Sequence, residues 1–266
     1  MTIFEALILG LLQGITEFLP VSSSGHLVLL QRIFGVAYYE AFTFTIVVHI
    51  ATLIPVLFVY YGRIKSIVKK PFQKLTLLLI LGTVPTVIAV ILFGDFIDAL
   101  FAGQGIFLAI GFAATAIAMF LTDRSKEGTK DMDQITKKDA LLVGVAQAFA
   151  IMPGISRSGS TIAGAVACKA KRDAAINFSF LLSIPAIAGG IALEIMHIIS
   201  GRTTLDSLLT MPMLVGFLTA MISGYFAIKF MLRIVEKRKL KYFGIYLMVL
   251  AALIFVDVMF TNIFFY

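Results

Sequence analysis

The sequence predicts an all-α integral membrane protein: six transmembrane helices plus two re-entrant helix hairpins in an inverted-topology repeat. Three observations predict it. Of 266 residues, 60% are hydrophobic and only 14% charged, with 24 Phe and a mean hydropathy of +1.00, whereas a soluble domain carries about 25% charged residues. Several apolar stretches reach the length of about 20 residues that a hydrocarbon core demands. Two other apolar regions are each interrupted by a proline and a serine-rich turn, and the two are copies of one another.

The first broken region covers residues 2–35. Gln13 and Glu17 stand four apart and share a helical face. Gly10 and Gly14 share a neighbouring face where another helix can approach closely. Pro20 ends this helix, because it lacks an N–H and drives Leu19 out of the helical region. Ser22, Ser23, Ser24 and Gly25 follow as a hydroxyl-rich turn before apolar residues resume at Leu27. A Gly-x-x-x-Gly pair is also a plain packing motif and a serine run also a helix cap. Three spans come next, with approximate ends Glu40–Tyr61, Phe72–Phe93 and Gln104–Thr122.

The second broken region, residues 139–169, is interrupted at Pro153–Gly159. Gly10, Gln13, Ser22, Ser24 and Gly25 recur 134 residues later as Gly144, Gln147, Ser156, Ser158 and Gly159. Three spans again follow: Ala174–Ile199, Pro212–Leu232 and Phe243–Ile263. One membrane domain therefore comprises repeat 1 (about 1–122) and repeat 2 (about 139–266), joined by a charged loop at 123–138. An odd number of crossings per repeat inverts the second copy, the plan in which broken helices meet near the midplane. Irregular backbone at that depth needs protein or a wet cavity around it, so both hairpins belong inside the bundle.

Loop charge orients this plan. Arg63, Lys65, Lys69, Lys70 and Lys74 fill one loop, and Arg124, Lys126, Lys130, Lys137 and Lys138 another. Lys169, Lys171 and Arg172 follow the second hairpin, and Arg233, Lys237, Arg238, Lys239 and Lys241 precede the last span. The remaining loops hold only Arg32 and Arg202, so the basic side is cytoplasmic and both termini and the first hairpin face outward. The net charge of +7 thus reports topology, not nucleic-acid binding. The single Cys168 excludes an internal disulfide, and residues 1–12 carry no basic region of a cleavable signal.

The chemistry concentrates in the two breaks. The second reads Pro153-Gly154-Ile155-Ser156-Arg157-Ser158-Gly159-Ser160-Thr161, with Arg157 where the first copy has Ser23. Glu17 and His26 face Ile151 and Ser160 in the alignment, so one copy supplies acid and imidazole and the other a guanidinium. A charge at membrane depth costs about 2.5–3.5 kcal/mol or more and marks function, although a purely structural Glu17–Arg157 pair is the plainer alternative. A cationic fork, hydroxyls and helix N-termini favour a phosphate-bearing ligand. The acid needs a separate task, holding a divalent cation or accepting a proton. The set points to hydrolysis of a phosphoanhydride or phosphoester whose remainder lies in lipid.

On these residues the chain resembles the undecaprenyl-diphosphate phosphatases, also called bacitracin-resistance proteins. The family's Glu/Gln-x-x-x-Glu motif matches Gln13 to Glu17 and runs into the Ser22–His26 turn. Its Pro-Gly-x-Ser-Arg-Ser-x-x-Thr motif matches Pro153 to Thr161. The resemblance covers essentially the whole chain. It implies release of inorganic phosphate from a polyprenyl diphosphate at the outer face of the bacterial inner membrane, recycling a carrier lipid for envelope polymers with Mg²⁺ or Ca²⁺ assisting. Glu17 with Gln13 would hold the metal or activate the attacking group. Arg157 would neutralise the diphosphate, and Ser22, Ser24, Gly25, Gly154, Ser156, Ser158 and Thr161 would line the phosphate site. Attack by Ser23, by His26, or by water that His26 activates stays open, and so does a homodimer. The type-2 phosphatidic acid phosphatases match poorly, since their Lys-x6-Arg-Pro motif is absent and Ala163 stands where they need histidine.

Weaker candidates are His49, inside the first span, and Asp257, near the end of the last. Asp95, Asp98 and Asp206 lie in outer loops, where simple solvation accounts for them, Glu40 and Glu194 can snorkel near span ends, and His197 sits near a membrane boundary. The rival from another class is a polyprenyl-phosphate flippase or secondary transporter, which uses the same inverted-repeat plan.

Overall fold

The computed structural model describes residues 1–102, 105–199, 210–235 and 239–265. Expectations resting on Gln104, Arg202, Asp206, Lys237 and Arg238, and on the side chains of Asp98, Glu194 and His197, lie outside these. Among the described residues the α-helices run in the order α1 (Ile3–Phe18), α2 (Ser23–Ile33), α3 (Tyr38–Val59), α4 (Tyr61–Lys69), α5 (Lys74–Ala102), α6 (Ile106–Arg124), α7 (Lys137–Phe149), α8 (Arg157–Ala167), α9 (Arg172–Ile199), α10 (Met211–Val235) and α11 (Leu240–Val256). Six of them are long and apolar enough to cross a membrane: Tyr39–Val59, Lys74–Ile97, Ile106–Arg124, Arg172–Leu193, Met211–Ile234 and Leu240–Thr261.

Three boundaries differ from the sequence expectation. Helix α5 runs to Ala102 instead of ending near Phe93, because Gly94 and Asp95 are tolerated within a continuous apolar helix. The basic segment after the first span is itself helical as α4, with apolar and basic residues on opposite sides and no buried residue. Ser23, Ser24 and Gly25 open α2, and Arg157, Ser158 and Gly159 open α8, so the serine-rich runs are helix starts more than turns.

Local chemistry explains the ends. Thr2 with Glu5, and Thr136 with Asp139, form reciprocal capping boxes at α1 and α7. Leu19 is extended (φ −76°, ψ 148°), as a residue before proline must be. At 16 and 11 residues, α1 and α2 are about 24 and 16 Å long, shorter than the hydrocarbon core.

Packing partners exchange between the two halves. Helix α1 packs on α10 and α7 on α5; α3 packs on α10 and α9 on α5; α3 and α9 meet each other, as do α6 and α11. Glycines permit the closest approaches. A Cβ at Gly10 would collide with the Gly216 backbone of α10, and one at Gly144 with the Gly82 backbone of α5. Gly82 and Gly216 stand 134 apart, the same interval as Gly10 and Gly144. A large buried cluster centred on Phe18, Phe112, Phe178, Phe180 and Leu181 fills the space between the short helices and the spans.

Candidate active site

Both breaks deliver a side chain from the first residue of a short helix to the same carboxylate. In α1, Gln13 Nε2 donates to Glu17 Oε2 at 3.0 Å across one helical turn. Past Pro20 the chain reverses at Ser22, whose φ of 68° is a conformation that L-residues rarely adopt and that needs its surroundings to enforce it. Ser22 then caps α2 through the Gly25 N–H, which points Ser23 back at α1. Ser23 Oγ donates to Glu17 Oε2 at 2.6 Å. In the other half Ser156 caps α8 through the Gly159 N–H, and Arg157 follows. Arg157 Nη2 donates to Glu17 Oε1 at 2.6 Å. Arg157 Nη1 is buried without a hydrogen-bond partner, which is rare for a charged N–H.

A fourth group arrives from α3. His49 Nε2 lies 3.7 Å from Glu17 Oε2, while Nδ1 is 2.7 Å from the Thr45 carbonyl. A carbonyl only accepts, so Nδ1 carries the proton and Nε2 faces the acid. Glu17 itself is 7% exposed. The two hairpins are also stitched directly, with Ser158 Oγ donating to the Leu19 carbonyl at 2.9 Å.

These groups form one end of a cavity of about 700 Å³. Its polar residues include Glu17, Ser22, Ser23, Ser24, His49 and Arg157; its walls are Val87, Val90 and Ile91 of α5 and Ile187, Ile191 and Leu193 of α9. The wall continues onto the outer surface of the bundle, where Val87 is 49% and Ile91 75% exposed. A charged pocket thus joins an apolar trough that opens sideways between α5 and α9.

The remaining candidates lie behind this cavity. His26 turns away: Nδ1 faces the Ser22 carbonyl at 2.7 Å and Nε2 the Tyr246 hydroxyl at 2.6 Å. Its ring stacks on Tyr246 and meets Phe112 edge-on. Both imidazole nitrogens are therefore spent within the packing, as in a neutral ring that donates to Ser22 and accepts from Tyr246. Thr161 Oγ1 donates to the Arg157 carbonyl at 2.9 Å and pairs with Ser179 of α9. Ser156 and Ser158 are each 1% exposed and bond one another. Gly25 packs on Phe112, and Gly154 (φ +80°) on the Leu108 carbonyl of α6. Asp257 caps the C-terminal turn through the N–H groups of Ile263, Phe264 and Phe265.

The donor set accommodates a divalent cation of the kind the family resemblance implies. Gln13 Oε1 is fully buried with no partner, on the amide whose Nε2 faces the Glu17 carboxylate, so turning that amide over would present both oxygens to one cation. Among the described residues no three His, Cys, Asp or Glu side chains cluster as an all-protein cage. One carboxylate with an amide oxygen suits Mg²⁺ or Ca²⁺ that takes its other ligands from phosphate and water.

Comparison with known proteins identifies the family. The family model described as "Bacitracin resistance protein BacA" matches residues 6–253. An undecaprenyl-diphosphatase of Carboxydothermus hydrogenoformans is 49% identical over 256 residues, covering 96% of this chain and 97% of that protein. Undecaprenyl-diphosphatase 4 of Bacillus cereus is 42% identical over 260 residues, covering 98% of each. An undecaprenyl-diphosphatase of Bacteroides fragilis is 39% identical over 250 residues, covering 91% of this chain and 93% of that protein. With the family model matching residues 6–253 and these relatives covering 91–98% of the chain, the chain belongs to the bacitracin resistance protein BacA family.

Proposed function

We propose that this chain hydrolyses undecaprenyl diphosphate to undecaprenyl phosphate and inorganic phosphate, returning a carrier lipid to cell-wall synthesis and giving bacitracin resistance. The observation that carries the reading is the unpartnered Arg157 Nη1 beside an Arg157–Glu17 pair, at the head of an apolar trough open to the bundle surface. A phosphate oxygen satisfies that N–H, and an isoprenoid chain suits walls of Val and Ile.

The reaction follows from the contacts of Glu17. Ser23 Oγ–H already points at Oε2, so Glu17 takes the proton as Ser23 attacks the terminal phosphorus. The Oγ–P bond forms while the bond from that phosphorus to the bridging oxygen breaks, and the electron pair leaves on the lipid phosphate. Glu17 passes that proton to the leaving lipid phosphate; it then takes a proton from the water that attacks the phosphoserine and returns it to Ser23 Oγ as the Oγ–P bond breaks, which restores both side chains. Arg157 swings a free N–H onto the transferring oxygens, where charge spreads in the transition state. Gln13 and Glu17 would hold the divalent cation, which when bound neutralises diphosphate charge. His26 orders the α2 start through Ser22 and Tyr246, a supporting part.

We further read both termini and this site as facing outward in the bacterial plasma membrane, with the hairpins re-entrant and the repeats inverted. The one-sided basic loops and the exchange of packing partners support that reading. The deciding experiment is phosphate release from undecaprenyl diphosphate by the purified protein in detergent, with Mg²⁺ or Ca²⁺ added. Release that Ser23→Ala lowers by about 10²-fold or more is expected, with labelled phosphate trapped on the parent chain but not on the variant. Undiminished turnover by Ser23→Ala overturns attack by Ser23.

A further inference from the structure

The first repeat's Gln13 has its counterpart in Gln147, and the two amides have taken different partners. Gln147 is 1% exposed, lies on the cavity wall, and donates from Nε2 to Thr86 Oγ1 of α5 at 3.0 Å. Its Oε1 is buried and has no partner. The reach to α5 exists because Gly144 sits directly on Gly82, one turn before each of these residues. The second repeat's equivalent of Thr86 is Ala220 of α10, the helix on which α1 packs; it offers Gln13 no hydroxyl, and Gln13 turns to Glu17 instead.

Thr86 differs from its helix neighbour in what its proton does. Thr83 Oγ1 donates to the Leu79 carbonyl at 2.7 Å, so its O–H is spent on the backbone. Thr86 accepts from Gln147, and no described group accepts from it. An O–H that accepts one hydrogen bond is polarised as a donor in the next. Both threonines line the cavity. One turn further along the same face of α5 come Val90 and Ile91, where the apolar trough begins.

We infer that Thr86 and Gln147 form a second polar subsite in this cavity, which holds the phosphate esterified to the lipid chain while Glu17, Ser23 and Arg157 act on the terminal one. The inference rests on the phosphatase reading above. Thr86 donates its hydroxyl to a phosphate oxygen, and the unpaired amide oxygen of Gln147 takes a water or a protonated phosphate oxygen. The placement follows from order along α5: the phosphate nearest the chain must lie where polar wall gives way to apolar wall. The two copies of the glutamine thereby serve two phosphates.

The test uses purified full-length protein and two probes, undecaprenyl monophosphate and inorganic phosphate, as inhibitors of phosphate release. Thr86→Val keeps the shape and removes the hydroxyl; Thr86→Ser keeps the hydroxyl. In Thr86→Val, KM for undecaprenyl diphosphate and the inhibition constant of undecaprenyl monophosphate should rise about tenfold, with kcat within about twofold. Inhibition by inorganic phosphate should not change, and Thr86→Ser should behave as the parent. Gln147→Glu, which sets an anion beside the phosphate, should weaken the monophosphate further. Unchanged monophosphate inhibition in Thr86→Val, an equal loss of inorganic-phosphate inhibition, or tighter monophosphate inhibition in Gln147→Glu each overturn the assignment. Direct titration of undecaprenyl monophosphate into each variant separates the two readings. If the parent hydrolyses nothing yet binds the monophosphate, and Thr86→Val binds it about tenfold more weakly, the subsite stands and the phosphatase reading falls.

Discussion

Glu17 gathers four side chains from four helices: Gln13 of its own α1, Ser23 of α2, His49 of α3 and Arg157 of α8. Replacing it by Gln keeps the shape and removes the proton acceptor, so turnover should fall about 10²- to 10⁴-fold with folded yield unchanged; near-normal phosphate release would remove Glu17 from the chemistry. Arg157→Lys should lose most activity while still inserting, because a point charge cannot hold Glu17 with one arm and phosphate with the other. The residues of this cluster differ in how visible they were. Glu17, Ser23 and Arg157 stood out because charge and hydroxyls interrupt oily sequence at matching intervals. His49 carried only the weak signal of an imidazole inside a span, and its direction depends on how α3 rotates against α1. His26 sits in the same motif as Ser23, yet its partner Tyr246 is 220 residues away. No local pattern tells which side of a helix start will meet a distant tyrosine.

Short helices hold these groups in place, and their contacts set the tolerance of the fold. A Cβ on Gly14 would strike Ser223 and the Ala220 carbonyl, so Gly14→Val should cost about 1–3 kcal/mol or more and lower the folded yield in detergent. Gly94, with open space around it, serves as the control and should accept Ala. The start of α7 is anchored differently, by Asp139, which accepts from Lys130 Nζ at 2.7 Å and from the Thr136 N–H at 2.9 Å. Burial alone would raise the Asp139 carboxyl, but Lys130 and Thr136 outweigh it and hold the group below its ordinary value of 3.8. A carboxyl lowered in the folded state contributes stability at neutral pH that is lost as pH falls below that ordinary value. Asp139→Asn should therefore lower the thermal midpoint at pH 7, and the gap to the parent should close as pH falls below about 4. A gap that stays constant with pH would show that the ion pair is not its source. The break at Pro20 was legible because it is local; the continuation of α5 past Gly94 was not, since an apolar surround overrides a single glycine.

At the scale of the whole molecule, repeat and charge were the readable features. The 134-residue interval appears in the motifs and again in the glycine pairs that bring α1 to α10 and α7 to α5. The cavity was not readable, because the wall of α5 and α9 is assembled from residues that carry no motif. The loop charges give the fold a testable direction. Ala37 and Thr210 lie in connections on one side of the six-span plan, Lys70 and Lys126 in connections on the other, and all four are exposed. Gly128 is a poor reporter for the same connection as Lys126, since a side chain there would strike the Ala170 carbonyl. On a Cys168→Ser background, single cysteines at Ala37 and Thr210 should react with a membrane-impermeant maleimide in intact cells. Cysteines at Lys70 and Lys126 should react only after permeabilisation. Two sites per side guard against removal of one basic residue tipping the local bias, and each variant should retain phosphate release, since none touches the cavity. The reverse labelling would place Glu17, Ser23 and Arg157 on the cytoplasmic side of the fold and overturn the outward reading. Labelling of one outer site without the other would break the equivalence of the two halves.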